Sequence, residues 1–367
     1  MTSKDKTLIE VLTQHQAYLY RTSSQSVNDL LTIFNAESAL MLAKLRDLLD
    51  ELNDSEKVAL ASGQYTTTNL KEIRDLISQW FTAINTSLPE AFAVSATALA
   101  VYEANYTAKL YGGKIKQPNG DKLYKSAKKV PLVGGALVDD LLTKLAESAR
   151  QKVEYAIRDG ISSGKTNQQI VQRIGGTKRL NYEDGILTSS KSDIDRTVRT
   201  VRSHVANQAY LRSFNQIGFE YVKLVATLDG RTSKLCASLD GTVWKINDPA
   251  KRVPPLHPHC RSILVPVEKD GLLVGERPFV MDERKVKDIP KEERSQLIGQ
   301  LDANTTFREF FKKTDDFFQK EWLGPKRYKL YKEGKFDFEK FFDPEGRLYT
   351  LDQLRKLDDQ TFKELGL

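Results

Sequence analysis

The chain is short of the residues that carry most reactive chemistry. Its 367 residues include 2 cysteines, 4 histidines, 3 methionines and 3 tryptophans. Two cysteines exclude a disulfide-rich secreted scaffold. Long apolar runs are missing as well. The most apolar stretch, Leu88 to Leu110, is interrupted by Glu90, Glu103, Asn105 and Lys109 and is too polar to span a bilayer. The opening MTSKDKTLIEVLTQHQ has no apolar h-region, so no signal peptide is expected. Gly164-Lys165-Thr166 has the end of a phosphate loop but not its first glycine, and no strand precedes it, which excludes a nucleotide site of that kind. Charge is not one-sided: 56 basic residues stand against 49 acidic ones, for a net +7. That excess permits weak, non-specific DNA contact without demanding it.

What is present is mostly amphipathic helix. Hydrophobic residues make up 40% and charged residues 29%, and the mean hydropathy is −0.46. This describes packed cores with much exposed helix. The length allows two or more domains at ~150 residues each. Leu8, Val11, Leu12, His15 and Leu19 lie at helical spacing, as do Val27, Leu30, Leu31, Phe34, Met41, Leu45, Leu48, Leu49 and Leu52. Ser23 or Ser24 is the expected cap of the second helix. A third helix is expected from Asn69, and a fourth from Pro89 at its first turn. His15 falls on a core stripe, so packing is its expected role. Glycine and proline then punctuate a basic loop: Gly112-Gly113, Pro118-Asn119-Gly120, Lys122 to Lys129, Pro131 and Gly134-Gly135. Thr166 should cap a short helix from Asn167 to Ile174. Arg196, Arg199 and Arg202 recur every third residue on a helix from Asp193 to Asn215. They read either as a basic contact surface or as partners for acids of a neighbouring sheet.

One stretch breaks the helical texture, VKLVATLDGRTSKLCASLDGTVWKINDPAKRVPPLHPHCRSILVPV, from Val222 to Val267. Alternating or apolar runs at Tyr221 to Leu228, Gly241 to Ile246 and Ile263 to Val267 are separated by Asp229-Gly230, Asp240-Gly241 and a proline-rich loop. This pattern predicts a small sheet with hairpin-like turns. Glu268 to Pro290 reads as polar and irregular, and residues 291 to 323 as helical. The fold class is therefore α+β: a helical N-terminal domain, then a small, mainly antiparallel sheet with flanking helices in the C-terminal half. The expected divisions are 1–111 helical, 112–135 basic loop, 136–192 connecting helices, 193–290 α+β, and 291–367 helical tail.

The sheet region resembles the Mu F-type phage head morphogenesis, or minor capsid, proteins. Their tract reads D-x-R-T, a cysteine pair, L-D-G, then P-P-x-H-P-x-C-R and a further cysteine. Here the matching residues are Asp229, Arg231 and Thr232; Ser233 and Cys236; Leu239, Asp240 and Gly241; then Pro254, Pro255, His257, Pro258, Cys260, Arg261 and Ser262. Ser233 and Ser262 stand where relatives often have cysteine. AIRDGISSGKTNQQIVQRI, the arginine-rich helix, Trp322 to Leu330 and Thr350 to Leu354 are similar to the family too, so the likeness runs from about 150 to 355. It implies a minor head protein inside the procapsid, assembled in the host cytoplasm, near the portal and among capsid and scaffold proteins. Its implied role is head assembly, DNA packaging or ejection, with no membrane.

The Cys–His residues leave three readings open. Cys236, His257 and Cys260 suit Zn2+, with His259 or an aspartate as the fourth ligand. Cys236 and Cys260 could instead form a disulfide across two strands. They could also be buried thiols beside loop histidines, with no cofactor at all. A thiol triad of Cys236, His257 and Asp229 can be drawn, so a Cys/His-dependent hydrolase or nuclease stands as the alternative function. No protease signature surrounds Cys236, and the expectation is a non-enzyme. Asp229, Arg231 and Thr232 read as turn residues, the aspartate capping backbone and Arg231 bridging to a carboxylate.

Overall fold

The computed structural model describes residues 8–112, 119–282, 284 and 286–367. Met1 to Thr7 of the opening segment, and the turn positions Gly113 and Pro118, lie outside the described residues. The first half is helical: α1 (Leu8–Asp50), α2 (Asp54–Ala61), α3 (Thr68–Leu110), α4 (Gly120–Lys128), α5 (Val138–Ser162), α6 (Asn167–Gly175) and α7 (Leu187–Ile217). The second half mixes strands and short helices: β1 (Tyr221–Val225), β2 (Leu228–Asp229), α8 (Lys234–Leu239), β3 (Val243–Lys245), β4 (Ile263–Val267), β5 (Glu276–Val280), α9 (Arg294–Leu297) and β6 (Ile298–Asp302). Five helices follow: α10 (Phe307–Lys313), α11 (Asp316–Leu323), α12 (Pro325–Lys332), α13 (Leu351–Leu357) and α14 (Asp359–Glu364). The fold is α+β. Packing divides the chain into a helical unit, residues 20–103 and 117–209, and a sheet unit, residues 1–19, 104–116 and 210–367.

In the helical unit the apolar stripes are buried as their spacing predicts. Val27, Leu30, Phe34, Met41, Leu45, Leu49 and Leu52 are all core residues. Several boundaries differ from the sequence reading. Ser23 and Ser24 cap nothing, because α1 runs through them; they accept hydrogen bonds from Arg202 and Arg199 of α7. Pro89 starts no helix and lies inside α3. An interior proline costs about 3 kcal/mol. Ile84, Leu88, Phe92 and Ala96 are buried on either side of it, and that burial carries the helix through. The basic loop contains a helix, α4, capped by the Asn119 side chain. Its Leu123, Tyr124 and Ala127 are buried, and Lys122, Lys125 and Lys129 are exposed. Thr166 does cap α6, in a reciprocal box with Gln169.

The arginines of α7 do not pair with acids of the sheet. Arg196 pairs with Asp193 and Arg199 with Asp195, both on the same helix. Arg202 is buried and donates to Ser23 and Ser26. No sheet acid takes part in these contacts.

The sheet unit has two three-stranded sheets. In the first, β1 is central and pairs antiparallel with β3 and β4, as the apolar runs predict. The second, β2-β5-β6, joins a parallel pair to an antiparallel one. Its β5 and β6 lie where the sequence reads as irregular and helical. A partly exposed strand with Arg277 and Pro278 carries little alternation, so pairing alone defines it. Leu12 of α1 belongs to one core with Val225, Ile263, Val265 and Ala303, and Leu110 packs against it. The segment 1–111 is thus not a packing unit by itself. His15 is buried and stacks on Tyr106 with ring centroids 3.7 Å apart, which fits the packing role expected of it. A second core is largely aromatic: Phe307, Phe310, Phe311, Phe318, Trp322, Phe336, Phe338 and Phe341, with Leu228 and Ala237 from the motif region.

Candidate functional site: a buried Asp–Arg network beside a Cys–His cluster

Asp229 ends β2 and its carboxylate is enclosed. Arg261 grips it with two bonds, Nη1 to Oδ2 at 2.5 Å and Nη2 to Oδ1 at 2.8 Å. Oδ1 also accepts from the Arg231 amide at 3.1 Å and from the Thr232 hydroxyl at 3.0 Å. The Arg231 guanidinium lies 3.4 Å from Oδ2. The aspartate therefore caps its own turn, as Asp-rich turns do, and is neutralised from 32 residues away. Burial works against the charge, but the hydrogen bonds and charges of Arg261, Arg231 and Thr232 hold the carboxyl below its ordinary range.

Asp240 is more deeply set. Its Oδ1 accepts from the Ala226 amide at 2.7 Å, and its Oδ2 from the Phe307 amide at 2.6 Å. Arg277 of β5 pairs with it at 3.0 Å, the two side chains being 4% and 0% exposed. Arg277 donates in addition to the carbonyls of Thr305 and Ala226. One carboxylate so fastens the chain after β1, strand β5 and the start of α10. Gly241, next to it, has φ 86°, and a Cβ there would come 2.9 Å from Thr306 Cγ2. Glycine is required at this turn. Thr232 contributes again through its carbonyl, which accepts from Trp322 Nε1 at 3.1 Å. The C-terminal tail thereby closes over the motif.

Cys236 lies on α8, a helix that the alternating pattern hides. The proposed pairing of two cysteines across strands is therefore corrected: Cys236 is helical and Cys260 lies in the loop before β4. Both are free thiols and buried, and their sulfurs are 3.7 Å apart. His257 is half-buried, with Nε2 3.2 Å from Cys236 Sγ and Nδ1 2.7 Å from the Pro258 carbonyl. Three ligand atoms, from Cys236, His257 and Cys260, lie within 4.8 Å of one another. His259 is exposed at φ 58° and is not part of this group, and among the described residues no aspartate joins it. The bond with Cys260, then burial, push the Cys236 thiol up; the bond with Cys236, then His257, bring Cys260 well down. The imidazole is raised in turn, chiefly by hydrogen bonding to the Cys260 sulfur. Ser233 caps α8 by accepting from the Cys236 amide at 3.2 Å, and Ser262 is buried immediately before β4.

The donor set fits a soft divalent ion. It fits a thiol protease less well. The third member of the drawn triad, Asp229, makes its bonds to Arg261, Arg231 and Thr232, and His257 Nδ1 faces a backbone carbonyl. A cavity of about 680 Å³ is lined by Asp240, Trp244, Arg252, Arg308, Phe338 and Phe342, among others, and none of the Cys–His residues borders it. Sequence reasoning missed Arg277 and the Phe307 amide. Both reach Asp240 from elements whose position only the tertiary structure defines.

Among known proteins, residues 151–265 match the family described as Phage Mu protein F like protein. No curated protein and no solved structure matches the chain. The matched segment contains Asp229, Asp240 and the Cys–His cluster. It stops short of Arg277 and of the tail.

Proposed function

We propose, on the premise that residues 151–265 belong to the Phage Mu protein F like family, that this chain is a minor head protein of a phage or prophage. It acts in head assembly, DNA packaging or ejection, inside the capsid near the portal, with portal, capsid and scaffold proteins as partners. The observation that supports a structural role is the satisfaction of the motif carboxylates. Asp229 and Asp240 direct their oxygens to backbone amides, hydroxyls and arginines of this same chain. A catalytic carboxylate instead needs reach to a substrate proton. No helix among the described residues is long and apolar enough to cross a membrane.

The helical unit supplies the partner-facing surface in this reading. It exposes Leu40, Val58 and Val94, each more than 60% accessible, on helices that carry no chemistry. Exposed apolar side chains on helices suit docking to a partner groove. The exposed Lys122 and Lys125 of α4, and Lys129 just after it, add weak contact to duplex DNA, which should fade steeply as salt rises. The test is mass spectrometry of purified heads together with portal pull-down. The chain should be present in heads, and Leu40→Glu with Val94→Glu should lose portal while melting normally. A chain absent from heads and indifferent to portal overturns the reading.

The hydrolase alternative is favoured by one contact, Cys236 Sγ to His257 Nε2 at 3.2 Å. Thiol-dependent turnover of a peptide or ester that Cys236→Ser abolishes, with folding intact, would establish it in place of the structural role.

A further inference from the structure

We propose that Cys236, His257 and Cys260 hold one Zn2+, which ties α8 to the loop entering β4, and that Ser262 stands at the open fourth place. Tetrahedral zinc with Zn–S near 2.3 Å sets two sulfurs about 3.8 Å apart. The two sulfurs here are 3.7 Å apart, and the third ligand atom lies within the same 4.8 Å group. Thiolate and imidazole are the donors zinc prefers among biological oxygen, nitrogen and sulfur ligands.

The ligands are already oriented. The Cys260 amide donates to the His257 carbonyl at 3.2 Å, in a turn that brings both side chains to one point. Ser233 fixes the start of α8 and so the direction of Cys236. His257 Nδ1 donates to the Pro258 carbonyl, which leaves Nε2 as the ligating nitrogen facing sulfur. That outer contact is the usual support of a metal-bound histidine. Two thiolates balance the charge of the ion. Arg261, which also feels both sulfurs, is engaged by Asp229. His257 is half-buried beside exposed Pro258 and His259, so the ion has a way in.

Three protein ligands leave one of four positions open. Ser262 is 2% exposed and lies two residues beyond Cys260, immediately before β4. A sulfur in place of its hydroxyl would complete the set without disturbing the cap that Ser233 makes.

The inference does not depend on the head-protein reading, and it is tested on the full chain without any activity. Protein is purified with zinc present, metal is counted by mass spectrometry, and cobalt is exchanged for zinc. One zinc per chain and a thiolate-to-cobalt absorption band are expected. Cys236→Ser and Cys260→Ser should each lose that band. Ser262→Cys should keep zinc at a chelator concentration that strips the parent chain. Because the cysteine variants can fail to fold, the parent chain and Ser262→Cys carry the decision. A folded parent with only trace zinc and no cobalt band overturns the proposal. So does a Cys236–Cys260 disulfide in protein whose thiols are alkylated at lysis. Equal zinc release from the parent and Ser262→Cys overturns the place given to Ser262.

Discussion

The helical unit and the sheet unit are stabilised by different means. In the helical unit the core is largely apolar, with Glu103, Arg202 and His204 as buried exceptions, and its ion pairs Arg46–Asp47 and Arg74–Asp75 are exposed. Such pairs contribute about 0–1 kcal/mol. In the sheet unit two aspartates are buried, and each is held by an arginine distant in sequence. Strands of two to five residues cannot define their own register, so charged anchors do it. Leaving such a charge unpaired is costly, whereas exchanging both partners for apolar groups can be neutral. Breaking an ion pair of the exposed kind should therefore matter little, and breaking one of the buried Asp–Arg pairs much.

The largest effect is expected at Asp240. Asp240→Ala strands Arg277 and two backbone amides, and should cost about 3–5 kcal/mol in denaturant unfolding of the sheet unit. A loss within about 1 kcal/mol would remove the contrast between units. Leu12→Ala comes next. It opens a cavity against Val225, Ile263 and Val265, and about 2–4 kcal/mol should be lost from the sheet unit. If only the helical unit weakens, the N-terminus of α1 has been placed in the wrong core.

Asp229→Asn should cost less, about 1.5–3 kcal/mol at neutral pH, because Arg261 retains 28% exposure and water can reach it. The sign of its pH dependence follows from the depressed carboxyl. The stability it adds is present above its unfolded value near 4 and is lost as pH falls through the folded value. Melting followed from pH 6 downward should show a flatter acid limb in Asp229→Asn than in the parent; parallel limbs would contradict the assignment. The smallest effect is expected in the helical unit. Arg196 is 52% exposed and pairs with Asp193, so Arg196→Ala should shift stability by no more than about 0.5 kcal/mol. A loss several times larger would make that pair as consequential as the buried ones.

Much of this arrangement is legible in the sequence. The stripes of α1, the Thr166 cap, α7, and the strands β1 and β4 follow from local periodicity and capping chemistry. Asp229 and Arg231 read correctly as a turn with a bridging arginine. The convergence of Cys236, His257 and Cys260 follows from their motif. Non-local features are hidden. α8 is six residues long and lies inside an alternating tract. Arg277 sits in a strand whose pairing partners are distant. Ser23 and Ser24 look like caps because their use by Arg199 and Arg202 depends on α7. Pro89 looks like a helix start because the burial that carries α3 through it is tertiary. Each miss is a case where packing outweighed a correct local preference.

The motif aspartates organise the fold. A double-mutant cycle on Asp240→Asn and Arg277→Met tests this most directly, with unfolding of the sheet unit followed through Trp322. Each single change should be strongly destabilising. The double variant should recover a coupling energy of about 2 kcal/mol or more, since neither charge is then left buried alone. Additivity of the two losses to within about 0.5 kcal/mol would contradict the account.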